Sequence, residues 1–165
     1  MYNKTTLESF YVREKKYPKL PFLHQPFGDK WETYTWGESG QMARRVAAYL
    51  RSLNMKPGSH IGLVSKNCRE WIIADLAIMM AGHVSVPFVA TLTGDQIAEV
   101  LELGDVDLLI VGKMEVWDDM RKGVPEDMPM IHFPHYEGNS DIMRGKAWRD
   151  ILAENEPIKD SPLPD

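Results

Sequence analysis

The stretch from Arg69 to Leu92 constrains the fold more than any other. Its first part, Arg69 to Ala81, is apolar almost all round, with Ile72, Ile73, Leu76, Ala77, Ile78, Met79 and Met80. A helix without a polar face belongs inside a domain. Gly82 then supplies a tight turn, and Val84, Val86 and Val89 mark a short buried strand. Pro87 has no N–H and cannot continue a ladder, so the run reads as a central parallel strand that stops there. An apolar helix joined to such a strand by one glycine turn predicts an α/β core.

The flanking segments fit that core. Thr5 and Glu8 form a capping box for a first helix, whose face of Leu7, Phe10 and Tyr11 suits packing on a core better than lying on a membrane. Pro18 and Pro21 end it. Leu20 to Phe27 and Trp31 to Thr35 read as strands around the turn Phe27–Lys30, a hairpin that Pro26 assigns to a sheet edge. Thr35 and Glu38 open a second helix with Met42, Val46, Tyr49, Leu50 and Leu53 inward and Arg44, Arg45 and Arg51 outward. Asn54 suits a left-handed cap, and Lys56-Pro57-Gly58 turns the chain into a strand from Ile61 to Ser65. Asn67, with Glu70 three residues on, is the expected cap of the apolar helix.

Downstream, Thr93-Gly94-Asp95-Gln96 starts a helix lined by Ile97, Val100 and Leu101 that Gly104 ends. Asp107 to Val111 is a strand, Met114 to Lys122 a helix, Met130 to Phe133 a strand and Ala147 to Ala153 a short helix. Alternation with short connections implies a largely parallel sheet flanked by helices. The chain of 165 residues is long enough for one such domain. Residues 1–155 read as this α/β unit and residues 156–165, with Pro157, Pro162 and Pro164, as a linker.

Composition excludes several classes. The formal net charge of −5 and scattered basic residues do not make a nucleic-acid surface. The single cysteine, Cys68, allows no internal disulfide and fits a reducing compartment. Met1 to Phe10 lacks a basic start and an apolar run, and Trp71 to Gly82 is too short to span a bilayer. A cytoplasmic location is expected.

Familiar site chemistry is missing. The sequence contains no GxGxxG, no GxxxxGK[ST] and no GxSxG. His132 and His135 lack a third ligand at metal-binding spacing. Cys68 sits at a helix start but without a neighbouring histidine, and reads as a structural thiol. Asn67 and the amides behind it are explained by capping rather than by an anion. Asp118 and Asp119 read as a solvated helix face. No catalytic, cofactor-binding or metal-ligating residue is named.

The order of several short blocks resembles the adenylate-forming (AMP-binding) superfamily of acyl-CoA synthetases, firefly-type luciferases and peptide-synthetase adenylation domains. Tyr34-Thr35-Trp36-Gly37-Glu38-Ser39 is similar to its TYxEL block, and Lys56 to Asn67 to its KPGDRVAIxxxN step. Glu70-Trp71 resembles the helix start that follows. Ala81-Gly82 through Val86-Pro87 and Leu92 resembles LKAGxxxVPxxPxL, and Thr91-Leu92-Thr93 with Gln96-Ile97 resembles TLTxEQI. The leader Glu14 to Leu23 is similar to the family's entry segment. The likeness covers about Thr5 to Gly112. Thr33 to Trp36, Asn67 to Trp71 and Thr91-Leu92 are most similar to long-chain fatty acid–CoA ligases, and Val89 departs from the aspartate usual in the peptide-synthetase branch.

The resemblance implies the N-terminal segment of the acyl-CoA synthetase large domain. A full-length parent of this kind forms an acyl-adenylate from fatty acid and ATP with Mg²⁺, then a thioester with coenzyme A. The YTSGTTGxPKG phosphate loop, the adenine and ribose motifs and the C-terminal lysine have no counterpart here. The expectation is therefore an N-terminal fragment of a long-chain fatty acid–CoA ligase, inactive alone and carrying no cofactor, whose partners are the rest of its own chain, a membrane surface touched by the parent, and other copies of itself through open strand edges. Two other readings are a stand-alone binding or interaction module with the same fold, and an unrelated doubly wound nucleotide binder.

Overall fold

Three threonines punctuate the chain. The computed structural model describes residues 4–163. Thr5, Thr35 and Thr93 each accept a hydrogen bond from the amide three residues on, and Glu8, Glu38 and Gln96 reach back to the cap amides. These boxes satisfy donors that no helical carbonyl can reach. They start α1 (Thr6–Lys16), α2 (Trp36–Ser52) and α4 (Gly94–Leu103). Between α1 and α2 lie β1 (Pro21–Phe27) and β2 (Lys30–Thr35). Then come β3 (His60–Val64), α3 (Arg69–Met80), β4 (Val84–Phe88) and, after α4, β5 (Val106–Val111). A single turn α5 (Trp117–Met120) runs into a 3₁₀ turn, followed by β6 (Met130–His132), β7 (Lys146–Ala147) and α6 (Trp148–Glu154).

The five strands β4-β3-β5-β6-β7 form one sheet in that order, every pair parallel. One face packs on α1, α2, α3 and α6 through Ile61, Leu63, Leu108, Ile110 and Ile131. The other packs on α4 and α5 through Val64, Leu109, Val111 and Met130. Such two-sided burial is why β3 and β5 read as continuous apolar runs, whereas β4, expected to be buried, has no buried residue. Asp107 breaks the alternation: the register slips between His60↔Val106 and Ile61↔Leu108, and the extra residue bulges outward. Leu7 and Phe10 of α1 are buried, so that face docks on the core.

Several expectations need correction. β4 is an edge strand, not a central one. Pro87 pairs with Leu63 and the strand continues to Phe88. The amide of Val84 bonds Ser59 O, so alternation sends the position of the missing Pro87 N–H away from β3. Only an edge strand tolerates that. The hairpin β1-β2 does not extend the parallel sheet; it is a separate two-stranded sheet beside α2 and α3. Its tip has Gly28 at φ 58°, the glycine-first two-residue turn. Phe22 stacks on Trp36 at 3.9 Å, holding the hairpin to α2 by its side chains.

The arginines of α2 do not all face water. Arg44 clamps Glu14 of α1 with two bonds of 2.5 and 2.8 Å. Arg45 donates to Asn155 O at 2.6 Å, and Arg51 joins Met80 O to the Asp160 carboxylate. Leu53, expected inward, is exposed. The helix expected from Met114 begins only at Trp117, because Met114 is buried in the turn that leaves β5. The two-residue β7 is too short to carry a strand pattern in the sequence. The segment after α6 has no regular structure, yet it is tied down: Ile158 N bonds Arg44 O and Tyr11 Oη donates to Pro162 O at 3.0 Å. Pro164 and Asp165, at the end of the expected linker, lie outside the described residues.

Candidate functional site

Sheet topology singles out one place. From β3 the chain goes to β4 on one side and then crosses to β5 on the other. Where the winding reverses, the loops leaving the two strands part and open a crevice at their carboxyl ends. Here those loops are Ser65–Cys68 and Gly112–Met114.

The inner crevice is filled by the protein itself. Gly112 N donates to Val64 O at 2.9 Å and Lys66 N to Lys113 O at 2.8 Å. Ser65 Oγ accepts from Lys113 N at 2.8 Å and donates to Lys66 O at 2.7 Å. A side chain at Gly112 would collide with Phe133 and Ser65, so glycine lets the two loops close on each other.

Outside this seam, a groove of about 620 Å³ lies between the hairpin and the first turn of α3. Leu23, Pro26, Trp31, Trp71 and Ile72 give it an apolar wall, and His24, Asn67, Arg69 and Lys113 a polar one. The floor is a buried polar cluster. Arg69 is 9% exposed and lies between two rings, with its guanidinium carbon 3.9 Å from the Tyr34 centroid and 5.3 Å from that of Phe27. Its Nη2 donates to Glu32 at 2.9 Å and its Nε to Glu70 at 3.3 Å. Glu70, 3% exposed, also accepts from Tyr136 Oη. Tyr136 stacks on Phe27 with rings 8° from parallel, and Lys113 Nζ sits 5.1 Å from its centroid.

This geometry differs from the expected cap. The cap position is Cys68, not Asn67, and no side chain of the loop serves it. Gln25 of β1 does so instead: its Oε1 accepts from Arg69 N at 3.2 Å in a buried contact. Asn67 is exposed. Glu70 cannot complete a capping box because Arg69 and Tyr136 hold its carboxylate. No local pattern could reveal a cap supplied by a distant strand.

The groups of the cluster hold one another and are poorly suited to proton or group transfer. Burial, aided by the Glu70 charge, pushes the Cys68 thiol up to about 11, leaving little thiolate at neutral pH. Burial and then the bond to Glu70 push the Tyr136 phenol well above its usual range. His132 Nδ1 and His135 Nε2 each lie 2.9 Å from a loop carbonyl, of Arg144 and Asn139 respectively. Asp118 is open to solvent, whereas Asp119 accepts from Gly94 N at 3.2 Å. Among the described residues no three acidic, histidine or cysteine side chains converge as a metal site, and no helix is long and apolar enough to cross a membrane.

Comparison with known proteins gives a consistent result. The family model described as AMP-binding enzyme matches residues 10–156. Long-chain-fatty-acid–CoA ligase ACSBG2 of Rattus norvegicus is 23% identical over 154 residues, covering 90% of this chain and 23% of that protein. Long chain acyl-CoA synthetase 2 of Arabidopsis thaliana is 33% identical over 107 residues, covering 62% of this chain and 16% of that one. Among solved structures, acetoacetyl-CoA synthetase from Streptomyces lividans superposes with a TM-score of 0.77 at 18% identity, over 93% of this chain and 26% of that chain. A benzoate CoA ligase from Burkholderia xenovorans LB400 gives 0.75 at 17% identity, over 93% and 29%. The chain thus spans less than a quarter of the length of the curated relatives named.

Proposed function

Because the chain belongs to the AMP-binding enzyme family, we propose that it is the N-terminal scaffold of a ligase that activates a long-chain fatty acid as its adenylate and transfers the acyl group to coenzyme A. The observation that carries this reading is the family match over residues 10–156, read with relatives named as long-chain fatty acid–CoA ligases that are several times longer. A carboxylate is a poor acyl donor and a mixed anhydride with AMP is a good one, so ATP cleavage drives thioester formation.

Among the described residues no acidic, histidine or cysteine cluster makes a Mg²⁺ site, the sequence holds no glycine-rich phosphate cradle, and no step through ATP, Mg²⁺ or coenzyme A is assigned to this chain. Their part is architectural. The parallel sheet, the seam between Ser65 and Lys113, and the anchored segment from Ile158 to Pro162 would serve as the frame on which a nucleotide-binding part of the same enzyme is mounted.

The test compares the 165-residue chain with the longest open reading frame that contains it. Palmitate, ATP, Mg²⁺ and coenzyme A are supplied, and AMP and acyl-CoA are measured. Fatty-acid-dependent AMP and thioester from the longer protein and none from this chain is the expected result. Thioester formation by the 165-residue chain alone, or a reading frame that closes at Asp165, would overturn the proposal.

A further inference from the structure

A second cavity, of about 390 Å³, lies off the carboxyl ends of β6 and β7, the edge of a parallel sheet where ligands generally sit. His132, the last residue of β6, is 9% exposed and lines it. Its Nδ1 faces the Arg144 carbonyl at 2.9 Å. A carbonyl only accepts, so the proton is on Nδ1 and Nε2 keeps a bare lone pair. Among the described residues Nε2 has no hydrogen-bond partner, yet it is not sealed in protein, so its open side is the cavity. His135, also on the wall, is fixed in the same way: Nε2 donates to Asn139 O and Nδ1 is bare. Asp141 adds a carboxylate with no basic partner among the described residues. The bases on the wall are already paired, Lys146 with Glu154 and Arg149 with Asp150. Arg144 donates to the Pro125 carbonyl. Pro134, Ile142 and Met143 supply apolar surface.

We propose that this cavity binds a small organic cation of the amidinium or guanidinium kind, its N–H fork on Asp141 and the bare nitrogens of His132 and His135, its body on Ile142 and Met143. The cavity offers acceptors and few free donors, so its ligand must bring the protons. An anion would meet two lone pairs and a carboxylate. A metal ion needs ligands that converge on one point, and no three of these side chains do so. A planar cation spreads its N–H groups along its edges, reaches acceptors that stand apart, and makes with a carboxylate the stronger, charge-assisted kind of bond. The inference does not depend on the ligase reading, since it rests on groups within this chain.

Benzamidine is the probe and benzamide, its uncharged counterpart, the control, titrated into the ¹⁵N-labelled 165-residue chain at about pH 8, where a free imidazole is neutral. The Nε2 signal of His132, read in long-range ¹H–¹⁵N spectra, should move saturably with benzamidine, while the ring signals of His24 in the hairpin stay in place. Asp141→Asn, at an exposed position, keeps the shape and removes the charge. It should weaken benzamidine about tenfold, bring it close to benzamide, and leave the melting temperature unchanged. His132→Asn keeps a donor for the Arg144 carbonyl and removes Nε2, and should also weaken benzamidine. Should that variant fail to fold, Asp141→Asn decides alone. Equal binding of benzamidine and benzamide, no effect of Asp141→Asn, or shifts produced by Zn²⁺ and not by benzamidine would each overturn the proposal.

Discussion

Gln25 Oε1 receives the amide of Arg69 at 3.2 Å, so a hairpin strand completes the start of a helix 44 residues away. Gln25 is 5% exposed, and water cannot replace it cheaply there. Gln25→Ala should cost about 1–2 kcal/mol, the usual worth of a helix cap. Asn67→Ala, at the position that local pattern marks as the cap, should stay within roughly 0.5 kcal/mol. Urea unfolding of both variants settles the matter, and a larger loss at Asn67 would reverse the assignment.

The Arg69–Glu70 pair makes a stronger claim. Glu70→Ala leaves the guanidinium, 8% exposed at the side chain, facing only Glu32. Breaking one side of a buried ion pair costs about 3–5 kcal/mol. Tyr136→Phe removes one donor from the same carboxylate and should cost about 1–2 kcal/mol. A double variant whose loss equals the sum of the two would show that the groups do not act together.

Cys68 should be slow to react. Its thiol is 8% exposed and raised to about 11, so Ellman's reagent at pH 8 should modify the native chain far more slowly than the chain in urea. Prompt modification of the folded protein would show that the first turn of α3 opens readily.

Acid should loosen the caps and the anchored C-terminal segment together. The Thr35 amide holds the Glu38 carboxyl below its usual range, and Arg51 does the same for Asp160. A group depressed in the folded state contributes stability above its unfolded value, near 4, and loses it as pH falls through the folded value. The urea midpoint should therefore be level at neutral pH and fall below about pH 4. Glu38→Gln should flatten part of that fall, and an unchanged acid limb in this variant would contradict the assignment.

Self-association through sheet edges has less to work with than strand count suggests. β4 presents Pro87 where an outward N–H would stand, and β7 is two residues long. Both are ways of blunting an edge. The chain should sediment as a monomer, and Pro87→Thr, which restores the donor, should raise its tendency to associate. A wild-type dimer that this substitution leaves unaffected would place the contact elsewhere.

Much of this architecture is legible in sequence because it rests on local chemistry. The boxes at Thr5, Thr35 and Thr93 are complete within four residues each, and the apolar runs of β3 and β5 reflect two buried faces. What escapes has its cause at long range. Arg44, Arg45 and Arg51 look like a solvent face until Glu14, Asn155 and Asp160 arrive from other elements. The valines around Pro87 read as a buried central strand, yet Val84 is 46% and Val89 64% exposed; β-branched residues suit an open edge strand as well as a central one. The groove draws on β1, β2, α3 and the loop after β5, and no spacing along the chain joins Trp31 to Lys113.

The order β4-β3-β5 also sets a timetable for synthesis. When a ribosome has released the chain through Phe88, β3 can pair along one side with β4, and α3 can cover that pair. Its other side must wait until α4 has been made and Val106 to Val111 emerge. During that interval the apolar flank of β3 is the stretch most open to unwanted partners, as delayed long-range pairing generally leaves such edges. The length of that gap is set by residues 89–105, the chain between β4 and β5.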